Sequence, residues 1–184
     1  MGPTEHEFSI PASDLDAAGK ALRFQVRAAW IRGAFEGTDV GAAGADGELD
    51  LRASKSGTDV VVRGTLRAEL TVPCARCLEP AHISVKEPIS ALVVPHTDFR
   101  ESSGAGDDDD VAPDQADMIP YDGDTVVLDD LVRDELLLGI PMIPLCSEGC
   151  PGIRRPGSQE PAPAPAPSID PRLQPLLRFK KPST

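Results

Sequence analysis

Four cysteines carry the chemistry that this chain could do. They stand as Cys74-Ala-Arg-Cys77 and Cys146-Ser-Glu-Gly-Cys150, two close pairs with 68 residues between them. A C-x2-C pair bends the backbone so that both sulfurs face one ion, at about 2.3 Å for zinc, and a second pair completes a tetrahedron. Cys74, Cys77, Cys146 and Cys150 are therefore the candidate metal ligands, for one zinc ion. Their separation is far wider than in a self-contained finger, so the ion would staple a fold that forms by other means. Unreactive thiols and dithiol redox chemistry are the two other readings of the same spacing. A thioredoxin-like reactive thiol needs a helix amino terminus just after its first cysteine. Here an alternating apolar run precedes Cys74, and Leu78-Glu-Pro80 follows Cys77.

The elements that must position these thiols read mostly as strands. Phe8-Ser-Ile10 is a short one, and Ser13 or Asp14 could cap a brief helix ending near Gly19. Leu22, Phe24 and Val26 alternate with Arg23, Gln25 and Arg27, the period of a half-buried strand. The glycine-rich run over 37–47 predicts a loop without regular structure. Alternation resumes with Leu49 and Leu51 facing inward, turns at Lys55-Ser-Gly-Thr-Asp, and continues through Val60, Val61 and Val62. Leu66, Ala68, Leu70 and Val72 then share one face and lead to Pro73-Cys74. A further strand runs through Ile83, Val85 and residues 89–94, with Pro88 expected at an edge or bulge. Short turns between regularly spaced strands argue an antiparallel meander.

After a turn at Asp122-Gly-Asp124 and a short strand at Val126 and Val127, Asp129 or Asp130 opens the best helix of the chain, near 129–138. Leu128, Leu131, Val132, Glu135 and Leu138 are spaced for its packed face, and Gly139 with Pro141 ends it. The fold class expected is α+β: a mainly antiparallel sheet, as a meander or partly closed barrel, with one packed helix and a short carboxy-terminal helix. Residues 1–153 form the domain, 154–169 a Pro/Ala-rich polyproline linker and 170–184 a short basic tail helix, where Asp170-Pro171 opens a face of Leu173, Leu176 and Leu177.

Charge is regional. Residues 105–135 hold 12 acidic residues against Arg133 alone, whereas the rest of the chain carries 18 acids and 17 bases. The segment about 97–119 reads as a disordered acidic insertion, with too little apolar surface to fold. Its Asp107-Asp-Asp-Asp run lacks the glycine and glutamate of a calcium loop. The opening residues have no signal-like apolar stretch, and the most hydrophobic run, 136–146, is broken by Pro141 and Pro144 and falls short of the roughly 20 residues a membrane span needs. The expected location is the cytoplasm, where thiols stay reduced.

The stretch Thr71-Val-Pro-Cys-Ala-Arg-Cys-Leu-Glu-Pro80, then the run from Val127-Leu-Asp-Asp-Leu to Leu-Cys146, then Cys150-Pro-Gly and finally Asp170-Pro-Arg-Leu, resembles the YceD family (DUF177) in its actinobacterial form. The likeness covers most of 8–153 and the tail. It implies a non-enzymatic ribosome-biogenesis factor needed for accumulation of 23S rRNA, acting in 50S assembly or rRNA processing. Many members with this pattern continue Cys-Pro-Gly-Leu into a further C-x2-C-Gly, where this chain has Arg154 and Arg155. If that later pair serves the first knuckle, Cys146 and Cys150 must substitute or the metal is lost.

Rival chemistries have little material. His6, His82 and His96 are scattered, and no phosphate loop, G-x-S-x-G or H-E-x-x-H occurs, which weighs against an enzyme and against a small-molecule substrate. The alternatives kept are a thiol-based metal-binding or redox-responsive protein and an rRNA-processing enzyme. The expected partner is rRNA or a large-subunit ribosomal protein or assembly intermediate, with no membrane. With one Trp, one Tyr and five Phe, base stacking is a poor route to RNA. Backbone contact is expected instead, through Arg63, Arg67, Arg76, Lys86, Arg154, Arg155, Arg178, Lys180 and Lys181.

Overall fold

A computed structural model describes residues 6–97 and 118–153. The elements run β1 (Ser9–Pro11), a single 3-10 turn at Ala12–Asp14, β2 (Lys20–Val26), α1 (Ala28–Ala34), β3 (Gly41–Ala42), β4 (Gly47–Ser56), β5 (Asp59–Pro73), β6 (Pro80–Pro95), β7 (Met118–Tyr121), β8 (Thr125–Val127) and α2 (Asp129–Leu138). The described residues up to Cys150 pack as one compact unit. The main sheet has the order β2-β4-β5-β6-β7, with β3 added to β5, and β1 pairs β8 separately. The architecture is α+β, and the sheet stays open rather than closing into a barrel. Its last strand, β7, pairs only with residues 92–95 of β6 and does not reach back to β2.

Alternation decides which face is buried. Val60, Val62, Leu66, Ala68, Leu70 and Val72 of β5 point into the core, joined by Leu49 and Leu51 from β4 and by Val85, Ile89 and Val93 from β6. The β5–β6 hairpin is the longest in the molecule, paired from Val60↔Val93 to Pro73↔Pro80. It runs past the end of β4, whose pairing stops at Arg67, so the far end of the hairpin carries residues 74–79 away from the sheet's centre. Pro88 faces Thr65 of β5, and on its other side β7 pairs no farther back than Leu92, so the proline sits at an edge that needs no donor from it.

Several expectations need correction. The helix expected after Ser13 is only the 3-10 turn, because Leu15 is extended and the Asp16 carboxylate instead accepts the Gly19 N–H at 2.9 Å, where Gly19 takes a positive φ of 77°. Within the 37–47 loop, Gly41–Ala42 does form a strand, against Thr71 and Leu70. Met118 and Ile119, expected within the acidic insertion, belong to β7 and pair with Leu92 and Val93. That pairing is parallel, a departure from a pure meander. On α2 the buried positions are Val132 and Leu136, while Leu138 is exposed; Leu128 is buried just before the helix. Gly139 ends α2 without a left-handed turn, at φ −72°, and its value is closeness: a Cβ there would sit 2.5 Å from Val85 Cγ1.

Helix α1 went unread. It forms because Ile31 and Phe35, one turn apart, are both buried and because the Asp46 carboxylate accepts the Ala28 N–H at 2.8 Å. Arg133 of α2 ties it down, donating to the Ala34 carbonyl at 2.9 Å and lying over the Phe35 ring. Gly64 marks the tightest crossing of β4 and β5: a Cβ added there would collide with the Asp50 carbonyl and lie 2.6 Å from Leu51 Cδ2. Gly64→Ala is expected to destabilise the domain by about 2 kcal/mol or more, read as a lower urea midpoint. An unchanged midpoint would show that the two strands can part at no cost.

Candidate metal centre

Cys74 is positioned by the same alternation that builds the core. It follows Leu66, Ala68, Leu70 and Val72 at period 2 and is fully buried at the tip of the β5–β6 hairpin. The C-x2-C stretch is the turn of that hairpin. Its ends are closed by Cys74 N–H to the Glu79 carbonyl at 2.9 Å and Leu78 N–H to the Cys74 carbonyl at 3.0 Å. Leu78 takes a left-handed φ of 66°, uncommon for a residue with a Cβ, and this reverses the chain toward Pro80. The Arg76 N–H points back at Cys74 Sγ, 3.5 Å away.

The second pair arrives from the segment after α2. Pro144 offers its carbonyl to the Ala75 N–H at 2.8 Å, which docks that segment on the knuckle, and Ser147 and Cys150 close a turn of their own at 3.1 Å. Arg76 Nη1 donates to the Cys150 carbonyl at 3.2 Å and braces the two segments together. Beneath them lies a small apolar cluster of Val72, Cys74, Ala81 and Cys150, with Val40, Ile83, Ile140 and Leu145 packed around it. Cys77 and Cys146 form the more accessible rim.

Four sulfurs each about 2.3 Å from a central ion lie about 3.8 Å apart. Here Cys74 and Cys150 are 3.8 Å apart, Cys77 and Cys146 are 3.6 Å apart, and all four sulfurs fall within 4.8 Å of one another. A disulfide, at about 2.05 Å, would need the pairs to close substantially. The donor set is thus the size and chemistry of a four-thiolate metal site, and this cluster could hold a metal ion. Backbone hydrogen bonds from Cys146 and Arg76 outweigh burial at Cys74 and hold its thiol down at about 6. A backbone hydrogen bond from Glu79 favours the thiolate of Cys77, but burial and the sulfurs of Cys150, Cys74 and Cys146 push it up to about 12. Cys146 is also raised, chiefly by the Cys150 sulfur. The Cys74 thiolate is therefore favoured, and a cation bound here must displace the protons of Cys77 and Cys146.

The candidate RNA-contacting residues separate into groups. Arg63, Arg67 and Lys86 lie on the solvent face of the sheet, whereas Arg76 is engaged with the cysteine turn. Arg154, Arg155, Arg178, Lys180 and Lys181 lie outside the described residues, as do the linker, the tail helix and the acidic run at 107–110. Arg52 was missed, although its place two residues from Asp50 and four from Glu48 in an alternating strand puts it on the same face.

An open, mostly antiparallel sheet whose longest hairpin ends in a thiolate knuckle, closed by a cysteine segment behind a packed helix, defines the class of this protein. Residues 62–180 match the YceD family, described as the large ribosomal RNA subunit accumulation protein YceD, and the chain belongs to that family. It is similar to an uncharacterized protein of Mycobacterium leprae, 28% identical over 113 residues, covering 60% of this chain and 46% of the relative. A Mycobacterium bovis protein, also uncharacterized, is 28% identical over 106 residues, 58% of this chain and 47% of its own length. The chain thus spans about half the length of the curated relatives it matches. No solved structure matches it. Among the described residues, no helix is long and apolar enough to cross a membrane.

Proposed function

We propose that this protein is a cytoplasmic factor that promotes accumulation of 23S rRNA and assembly of the large ribosomal subunit by binding the rRNA backbone, without catalysis, and that its four cysteines hold one zinc ion. The observation that carries the RNA contact is the charge pattern on the outer face of the sheet. Arg52 stands opposite Arg63, and Arg67 opposite Lys86, in directly facing positions of β4, β5 and β6. Like charges facing each other across strands destabilise a sheet, and a phosphate backbone laid over them would offset that cost. Part of the face is neutralised internally: Arg23 pairs with Asp50 at 2.7 Å and with Glu48 at 3.2 Å, and Arg67 lies 3.7 Å from Glu48. Arg63 and Lys86 make no ion pair among the described residues.

Cys74, Cys77, Cys146 and Cys150 would hold the zinc ion, which when bound would tie the hairpin tip to the segment after α2. The chain's own groups do the rest: Arg76 and the Pro144 carbonyl hold the two segments together, and the apolar cluster beneath keeps water from Cys74 and Cys150.

The family description supports the ribosomal reading. Depletion is expected to lower mature 23S rRNA and 50S particles relative to 30S, and unchanged subunit profiles on a sucrose gradient would overturn it. The purified protein is expected to leave a precursor transcript at full length. For the surface itself, Arg63→Glu combined with Lys86→Glu should weaken binding to a 23S transcript and flatten the dependence of log K on log salt by about one for each lost phosphate contact. A double variant with the affinity and salt slope of the parent would remove the sheet face from the reading.

A further inference from the structure

The four sulfurs that could hold a metal also touch as two pairs, and each pair joins the hairpin tip to the segment after α2. Cys74 Sγ lies 3.8 Å from Cys150 Sγ, and Cys77 Sγ lies 3.6 Å from Cys146 Sγ, across 76 and 69 positions of chain. All four are free thiols, and the chain has no other cysteine. The contacts that keep these partners facing each other are backbone ones. The Ala75 N–H donates to the Pro144 carbonyl at 2.8 Å, and Arg76 Nη1 donates to the Cys150 carbonyl at 3.2 Å. From there a disulfide, at about 2.05 Å, needs only that the facing sulfurs turn toward each other.

The two pairs differ in access. Cys74 is fully buried and Cys150 is 4% exposed, whereas Cys77 is half-buried and Cys146 is exposed. Metal ligation requires every one of the four to be a thiolate. In that state access decides which sulfurs an oxidant reaches first, and it favours the rim.

We propose that the cluster is also a site of peroxide oxidation, in which Cys77 is joined to Cys146 at the rim and Cys74 to Cys150 beneath it. The order, rim before floor, rests on the zinc reading; the pairing does not. At the rim, Cys146 Sγ attacks the O–O bond of hydrogen peroxide and becomes a sulfenic acid as one water leaves. Cys77 Sγ then displaces the sulfenic hydroxyl, which leaves as a second water. The two sulfurs lose two electrons and the peroxide gains two. The two protons come from the thiols, or from solvent where the sulfurs are bound to metal. Each such bridge ties the same two segments that a metal ion would tie, so the domain loses the ion and keeps the staple. Bridges between distant cysteines also restrict the unfolded chain far more than a bridge closed inside Cys74-Ala-Arg-Cys77.

The test titrates the full chain, zinc-loaded and metal-free, with hydrogen peroxide. Free thiols are counted by maleimide labelling, bridges are mapped by mass spectrometry of non-reduced digests, and released zinc is read with a chromogenic chelator. The zinc-loaded chain is expected to lose two thiols first, as a Cys77–Cys146 bridge with release of its zinc, and then the other two as Cys74–Cys150. The metal-free chain should reach the same two bridges. Circular dichroism should be unchanged, and the oxidised chain should melt about 10 °C above the reduced, metal-free one. Cys146→Ser, a change at an exposed position, should stop the rim bridge and leave Cys77 to be trapped by dimedone. A main product bridged as Cys74–Cys77 or Cys146–Cys150, or a disulfide-linked dimer, overturns the proposal. So does an oxidised chain that melts no higher than the reduced one. A chain that binds no zinc yet forms both cross bridges sinks the zinc reading and the order, and upholds the pairing.

Discussion

Cys74→Ser is expected to abolish stoichiometric zinc binding and to lower the thermal unfolding midpoint by about 10 °C. The sulfur lost is the one that the fold has prepared most fully: buried at the hairpin tip, 3.8 Å from Cys150, and held near 6 by backbone hydrogen bonds from Cys146 and Arg76. A serine hydroxyl cannot ionise there, and metal ligation by cysteine sites requires the thiolate. A ligand present at a thousand times its dissociation constant adds about 4 kcal/mol to stability, which for a domain of this size corresponds to about 10 °C. The loss should be partial, not a collapse to an unfolded chain, because the main core is built from residues of β2, β4, β5, β6 and both helices that do not touch the thiols. A strong chelator should move the parent melt by the same amount and leave the variant where it is. If the chelator leaves the parent unmoved, the cysteines do not staple the fold.

Asp129→Ala is the second large effect expected, about 3 kcal/mol from three lost hydrogen bonds whose donors remain. Its carboxylate accepts the backbone N–H of Glu7 at 3.0 Å, that of Phe8 at 3.2 Å and the indole N–H of Trp30 at 3.2 Å. A single side chain at the start of α2 thereby gathers the amino-terminal strand and α1 onto the second helix. Phe8, fully buried and edge-on to Trp30 at 4.8 Å, depends on that placement. The alanine strands these donors in a half-buried site and also removes an acid from the amino end of a helix, which favours negative charge. Asp129→Asn keeps one acceptor oxygen and should cost less than half as much, by urea denaturation. A loss below about 1 kcal/mol for the alanine would mean that water replaces the carboxylate.

The two expectations differ in how far they could be read from the chain. The cysteine spacing announced a possible tetrahedral set, and the alternation through Leu66, Ala68, Leu70 and Val72 led up to Cys74, whose burial the structure continues at the same period. Asp129 announced only a helix start. Its three partners lie 99 to 122 residues away in sequence, a distance that no local pattern spans. The same holds for α1, where Gly33 and a short apolar run give little intrinsic preference and the burial of Ile31 and Phe35 decides the matter. Leu138 was misplaced for a related reason. Its spacing from Leu131 is helical, but the helix ends there, where Gly139 lies close against Val85.

By itself, then, the sequence determined most of the strands and their inward faces, the second helix and the family, because period and turn chemistry act over a few residues. Tertiary structure alone decided that the two cysteine pairs converge within 4.8 Å, that Arg76 reaches across to the Cys150 carbonyl, that the sheet stays open with a parallel last strand, and that Met142 and Ile143 stand outward. Those features depend on which distant segments pack together, and packing is set by the summed burial of the whole core, not by any residue's neighbours in the chain.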